Sequence, residues 1–265
     1  MVRLSILLSL FFISVSFRSE TCKSNISIAF KKGEELTYRI HYGLFTAGEA
    51  TLSVDKSLKS KSGKQLYNLN VKGKTTGTFA AIIKINDHWQ SLVDTATLLP
   101  LQSFREIQEA KYYLKETVDF NKPLKAKVKT EKKDKSTKTK NFEVPLQVHD
   151  MVSGYYYLRS VNYNNLEIGK TVAVKAFFED KLYDFKVKYE GKETIKTKLG
   201  KIKAIKLSPV MPNNSLFDGK DAIHIWLSDD INKIPLKIKA KMFVGAVEIE
   251  IKSQKGLRQD LKIEK

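Results

Sequence analysis

The sequence predicts an all-β protein: one strongly curved antiparallel sheet, or a barrel-like closure of it, with one amphipathic helix packed against its concave side. Three observations predict this. Apolar residues recur at every second position through most of the chain, turn-forming residues interrupt these runs at short intervals, and only one segment changes to a spacing of three and four. Strands that follow one another without alternating helices pair antiparallel, and a sheet of roughly a dozen strands must curl.

The first hairpin lies in "GEELTYRIHYGLFTAGEATLSV", residues 33 to 54. Leu36, Tyr38, Ile40 and Tyr42 alternate with Thr37, Arg39 and His41, and Ala50, Leu52 and Val54 resume the period. One face is therefore dry and the other wet. The joint from Gly43 to Glu49 must turn the chain, and Gly43 and Gly48 are the residues that tolerate positive φ there. The hairpin is preferred to a phosphate-binding loop, because no further glycine follows at nucleotide-binding spacing and no helix opens after it.

Tyr67, Leu69 and Val71 mark the next strand. Phe79, Ile82 and Ile83 fit a helical turn, and Ile85 to Val93, Leu101 to Ile107 and Ala110 to Phe120 read as strands. A lysine-rich hairpin follows. Between Asn121 and Lys140 there are nine lysines and two acids, and Lys125, Lys127 and Lys129 alternate with Ala126 and Val128. That is the wet face of a strand, and such charge keeps exposed strands from pairing with neighbours.

The helix is placed from Gln147 to Ser160, just after Pro145, on the spacing of Val148, Met151, Val152, Tyr155 and Leu158. His149 and Asp150 fall in its first turn, where an acid suits the helix dipole. Strands return at Val172 to Phe178, Tyr183 to Tyr189, Lys201 to Leu207 and Ala222 to Leu227. In the closing pair, "IPLKIKAKMFVGAVEIEIKS", a two-residue turn at Val244-Gly245 would set Lys241 opposite Glu248 and Lys239 opposite Glu250. Trp89, Trp226, Tyr155 and the aromatics of Tyr183 to Tyr189 are expected in the core. The predicted domain is a single unit over residues 30–255, with a flexible segment at 17–29 and a tail at 256–265.

The first sixteen residues read as a secretory leader. Arg3 precedes a short apolar run from Leu4 to Ile13, and Ser14-Val15-Ser16 supplies small residues for cleavage after Ser16. No later run approaches the roughly 18 apolar residues that a membrane-spanning helix needs. The single cysteine, Cys22, follows Ser19-Glu20-Thr21, a poor lipid-attachment sequence, so a free thiol is expected and no disulfide within the chain. Asn25-Ile26-Ser27 and Asn213-Asn214-Ser215 match the glycosylation sequon, which acts only in a eukaryotic secretory pathway.

Lysine and arginine total 47 against 29 acids, a net charge of +18. Such a balance suggests nucleic acid first, but export and the placement of the lysines on solvated strand faces argue against it. The attraction expected instead is to anionic lipid headgroups or acidic envelope polymers, with Lys125, Lys127, Lys129, Lys132 and Lys133 as contacts. Enzymatic constellations are missing: there is no metal-ligand pair of Cys and His, no nucleophile elbow and no phosphate loop. A convergence of His41, His88, Asp87 and Asp180 would be needed for an enzyme. No cofactor and no metal are expected. "WLSDDINKIP" lacks the spacing of a calcium loop and reads as a charged turn.

Four blocks, "KGEELTYRIHYGLFTAGEATLSV", "VHDMVSGYYYLRS", "FFEDKLYDFKVKYEGKETIKTKLGKIKAIKLSPV" and "IHIWLSDDINKIPLKIKAKMFVGAVEIEI", resemble the bacterial envelope family known as domain of unknown function 3108. The resemblance covers about residues 30–255, and the second-half blocks are most similar to its Bacteroidetes branch. It implies an exported protein of Gram-negative bacteria, periplasmic or associated with the outer membrane, without an established activity and without catalytic residues to carry over. The functional expectation is a non-enzymatic binding or carrier module for an apolar or amphiphilic envelope molecule such as a lipid. Leu44, Phe45, Trp89, Tyr155 and Trp226 are its candidate ligand contacts. The alternative is a structural or assembly protein that meets another envelope component through its basic surface.

Overall fold

The computed structural model describes residues 27–210, 222–242 and 245–264. The leader with its cleavage site, Cys22, Asn25, Ile26 and the Asn213 sequon lie outside them.

Among the described residues, fifteen strands form one antiparallel sheet. The first nine are β1 (Glu35–Tyr42), β2 (Phe45–Val54), β3 (Lys59–Lys61), β4 (Lys64–Thr75), β5 (Asn86–Asp94), β6 (Pro100–Glu109), β7 (Tyr112–Asp119), β8 (Lys125–Lys132) and β9 (Thr137–Glu143). The remaining six are β10 (Thr171–Phe178), β11 (Lys181–Thr197), β12 (Gly200–Pro209), β13 (Ile223–Ser228), β14 (Pro235–Lys241) and β15 (Ala246–Lys255). Two helices interrupt them, α1 (Gly77–Ile82) between β4 and β5 and α2 (Met151–Ser160) between β9 and β10.

The sheet starts at β10, runs in chain order to β15, passes to β1 and ends at β9, with β3 attached to β4 alone. Its two edges are thus chain neighbours, and α2 connects them. The sheet is curled rather than closed. Where the edges approach, the Phe142 and Phe177 rings lie 5.3 Å apart, and Lys140 pairs with Asp180 at the β10–β11 turn. The segment before α2 fills part of the remaining gap. His149 bonds in parallel to β10, its N–H donating to the Lys175 carbonyl and its carbonyl accepting from Phe177, both at 2.8 Å.

The helix begins later than its apolar spacing suggests. Asp150 is the cap, not a first-turn residue: its carboxylate accepts from Val152 N at 2.8 Å and Ser153 N at 3.0 Å. Ser153 Oγ in return accepts from Asp150 N at 3.0 Å, a reciprocal box that satisfies two orphan donors of the first turn. Val148 and His149 precede the helix, His149 pairing with β10, so the agreement of Val148 with helical spacing is incidental. The helix then crosses the concave side, packing Val152 and Tyr156 on Phe30, Leu69 and Val93.

Two turns differ from the sequence reading. The first hairpin turns only at Gly43-Leu44, because Tyr42 already pairs with Phe45. Gly43 has φ +57° as expected. Gly48 has no positive φ; it is required because a Cβ there would stand 2.5 Å from the Lys74 carbonyl oxygen of β4. In the closing hairpin Lys239 faces Glu248 and Lys237 faces Glu250, two residues away from the expected register. Met242 N donates to the Gly245 carbonyl, and Val244 of the expected turn lies outside the described residues. A slip of two leaves every side chain on its own face, which is why alternation alone does not detect it. Lys237 also reaches Glu248 diagonally at 3.1 Å.

Core placement follows the alternation with two exceptions. Trp226 is half-buried: it sits between inward-facing Ile225 and Leu227, and its Nε1 donates to Glu193 at 2.6 Å. Tyr183 is exposed near the β10–β11 turn, whereas Tyr189, farther along the same strand, is buried. On β8, Ala126 and Val128 are buried and Lys125, Lys127 and Lys129 are exposed, as the alternation requires. Among the described residues, no helix is long and apolar enough to cross a membrane.

Candidate functional site

α2 does not fill the curl. Beside its first two turns the concave side keeps an open apolar cleft of about 390 Å³. Tyr38, Ala50, Leu52, Val71 and Trp89 form one wall, from β1, β2, β4 and β5. Ile238 and Ile249 come from β14 and β15, and Met151, Val152 and Tyr155 from α2. The pairing explains why these side chains share a face. Tyr38 is opposite Ala50, Leu52 opposite Val71, and Val71 opposite Trp89. The space exists because the residues between the large ones are small. Ala50 faces Gly73, and a Cβ built on Gly73 meets nothing within 4 Å.

One side of the cleft is fixed by charge. The Arg105 guanidinium lies 5.4 Å from the centre of the Trp89 ring and 4.8 Å from that of Phe178. It is held bidentately by Glu116, at 2.8 and 3.2 Å, and reaches Glu179 at 3.5 Å. This cluster pins Trp89 between β6 and the β10–β11 turn, so its indole is presented to the cleft in one orientation.

The floor carries two phenols. The hydroxyls of Tyr38 and Tyr155 are buried with no hydrogen-bond partner among the described residues. Burial pushes both phenols far above their ordinary pKa, so they are neutral donors throughout the physiological range. Farther along α2, Arg159 and Glu34 form a fully buried ion pair, with Nη1 to Oε1 at 2.7 Å. Its positive member is consumed by its own carboxylate and gives the cleft no net charge.

The cleft brings Trp89 and Tyr155 together, two of the five candidate contacts. Leu44 and Phe45 instead stand exposed at the β1–β2 turn, and Trp226 packs with His224 and Lys206. The candidate lysines do not converge. Lys125 and Lys127 border a shallow surface basin of about 800 Å³ that also contains Asp119 and Glu143. Lys129 lies in mid-strand, and Lys132 and Lys133 close the strand at the opposite end. Nor do the four groups named for an enzyme meet. His88 contacts Asn70 at 3.1 Å, Asp87 accepts from Gln108 N, Asp180 pairs with Lys140, and His41 is opposite Glu248. Among the described residues, no group of three potential metal ligands is present.

The family model described as Protein of unknown function (DUF3108) matches residues 37–252. The chain belongs to that family. No curated protein matches the chain. Among solved structures, it is similar to a β-barrel-like protein of domain of unknown function DUF1849 from Brucella abortus. The TM-score is 0.57 at 8% identity, over 87% of this chain and 99% of that one. At that identity the likeness concerns the fold alone, and it agrees with the curled sheet of this DUF3108 member. A protein from Bacteroides fragilis described as exported, with a YmcC-like fold, gives a TM-score of 0.36 at 9% identity, over 87% and 99%. One from Parabacteroides distasonis described as a lipoprotein gives 0.32 at 10%, over 87% and 100%.

Proposed function

We propose that the protein is a non-enzymatic binding module for an apolar or amphiphilic molecule of the bacterial envelope, whose acyl portion occupies the cleft beside α2. The observation that carries this reading is the cleft itself. Its volume lies within the roughly 300–1,000 Å³ of small-molecule sites, its lining side chains are all uncharged, and the sheet supplies Gly73 and Ala50 where larger side chains would close it. A core selected only for stability would be filled, since each void forfeits packing energy. The leader-like first sixteen residues support an envelope location. The structural alternative, acting through the lysines of β8, has less support, because Asp119 and Glu143 share their basin.

Trp89 provides the readout. In a Trp226→Phe background it is the remaining tryptophan, and a brominated fatty acid entering the cleft quenches its fluorescence saturably. Ala50→Phe fills the cleft and abolishes the quenching, with the far-ultraviolet dichroism of the sheet unchanged. Absence of quenching, or equal quenching in both proteins, would refute the reading.

A further inference from the structure

The end of the curled sheet that carries the β1–β2 turn is unlike the rest of the surface. Leu44 is 97% exposed and Phe45 68%. Beside them α1 exposes Ile82 at 76%, and Ile83 follows at 47%. These side chains belong to one patch. The Tyr42 and Phe79 rings join β1 to α1 at 6.4 Å, Thr76 N donates to the Ala47 carbonyl at 3.1 Å, and Gly43 N donates to the Ala246 carbonyl of the neighbouring β14–β15 hairpin. Isolated exposed apolar residues need no explanation, but four large ones on adjacent turns do.

The charges around the patch indicate its partner. Lys84 follows Ile83 directly, Lys111 occupies the β6–β7 turn bonded to it through Ala110 N and the Lys84 carbonyl, and Lys241 ends β14. All three are exposed. The acids beside Lys84 and Lys111 are Asp87 on β5 and Glu109 on β6, while Glu131 and Asp134 at the β8–β9 turn and Glu179 and Asp180 of the β10–β11 turn lie at the same end but farther along the sheet. Asp87 is engaged by Gln108 N, and burial together with Asp87 raises the Glu109 carboxyl above its ordinary pKa. Apolar tips ringed by lysines match an anionic bilayer, the apolar side chains entering the acyl boundary and the ammonium groups staying among the phosphates.

The patch also stands at the mouth of the cleft. α2 covers the concave side over Leu69 and Val93, while Ile40, Tyr42, Ala240 and Val247, between the cleft and this end, remain half-buried. We infer that this end docks on an anionic lipid surface, through Leu44, Phe45, Ile82 and Ile83, with the cleft mouth facing the membrane. The docking stands on the patch alone; only its purpose, passing an amphiphile between bilayer and cleft, rests on the binding function proposed above.

Flotation with vesicles tests it. The purified protein floats with phosphatidylglycerol–phosphatidylethanolamine vesicles, less so at high salt, and weakly with phosphatidylcholine. Leu44→Glu/Phe45→Glu, and separately Ile82→Glu/Ile83→Glu, lower the apparent affinity by about tenfold or more, as loss of two inserted apolar side chains requires. Ala50→Phe leaves flotation intact, so failure of the cleft and failure of the docking are told apart. The inference is overturned if the wild type does not float, or if the exposed-site variants float equally well. It is also overturned if the wild type is a dimer that these variants dissociate without any vesicle binding.

Discussion

Replacing Arg159 with methionine while Glu34 is kept lowers the stability of the protein by about 3–5 kcal/mol, because it strands a buried carboxylate. Both side chains are 0% exposed. The guanidinium donates to both Glu34 oxygens, at 2.7 and 2.9 Å, to the Asn232 carbonyl at 2.9 Å and to the Lys233 carbonyl at 3.2 Å. It thereby ties the end of α2 to the segment preceding β1 and to the β13–β14 turn, and it packs against the Tyr156 ring at 5.1 Å. Burial works against its charge, and the Glu34 carboxylate more than offsets that effect. The double variant Arg159→Met/Glu34→Leu recovers much of the loss, since no unpaired charge remains. Urea denaturation of the single variants Arg159→Met and Glu34→Leu and of the double variant measures this. Single variants that cost less than about 1 kcal/mol would put the pair in the class of surface bridges and contradict its structural role.

The second large effect is on acid stability. His149 is buried against the Tyr157 ring at 4.9 Å, with Nδ1 3.2 Å from Ser153 Oγ. Burial lowers its pKa from 6.5 to about 4. Between these values the unfolded chain binds a proton that the native protein refuses. Stability from this group is therefore complete above about pH 6.5 and is lost as the pH falls toward 4. At roughly 1.4 kcal/mol per pKa unit, the loss is limited to about 3.5 kcal/mol. Neighbouring Asp150 acts in the opposite sense: burial raises its pKa, so its protonation in acid favours the native state. Comparison with His149→Gln separates the two, since Asp150 is common to both proteins. Denaturation at pH 7, 6, 5 and 4.5 shows a slope for the wild type steeper by nearly one proton. Equal slopes would mean that the imidazole is not held neutral.

Much of the sheet was legible in the sequence because period two is a local property: Leu36 to Tyr42, Lys125 to Lys129 and Ile234 to Ala240 display it within a few residues. The curled all-β fold followed from the same runs, whereas the family resemblance rested on four longer blocks, one of them the helical segment. What was not legible depends on distance or on a symmetry of the pattern. The closing hairpin slipped by two, a change that keeps every face. The helix start was misplaced because Val148 matches both spacings, and only the reciprocal bonds of Asp150 and Ser153 distinguish them. The cleft draws on six strands and one helix far apart in the chain, so no local motif announces it. Two signals were nevertheless present. Trp226 shares its parity with His224, on the solvated positions of β13, which already placed it off the inward face. Ala50 and Gly73 are small residues at inward positions of strands, and such positions are where a curled sheet leaves room. Glu34 and Arg159 carried no signal, because 125 residues separate them.

The most direct test of the binding module is to recover the protein gently from its own cell envelope, extract it with organic solvent and analyse the extract by mass spectrometry, beside Ala50→Phe treated identically. One acyl-bearing species is expected at close to one molecule per chain in the wild type, and its loss from the filled variant. A clean extract from both, or the same species at the same yield from both, would contradict the binding function.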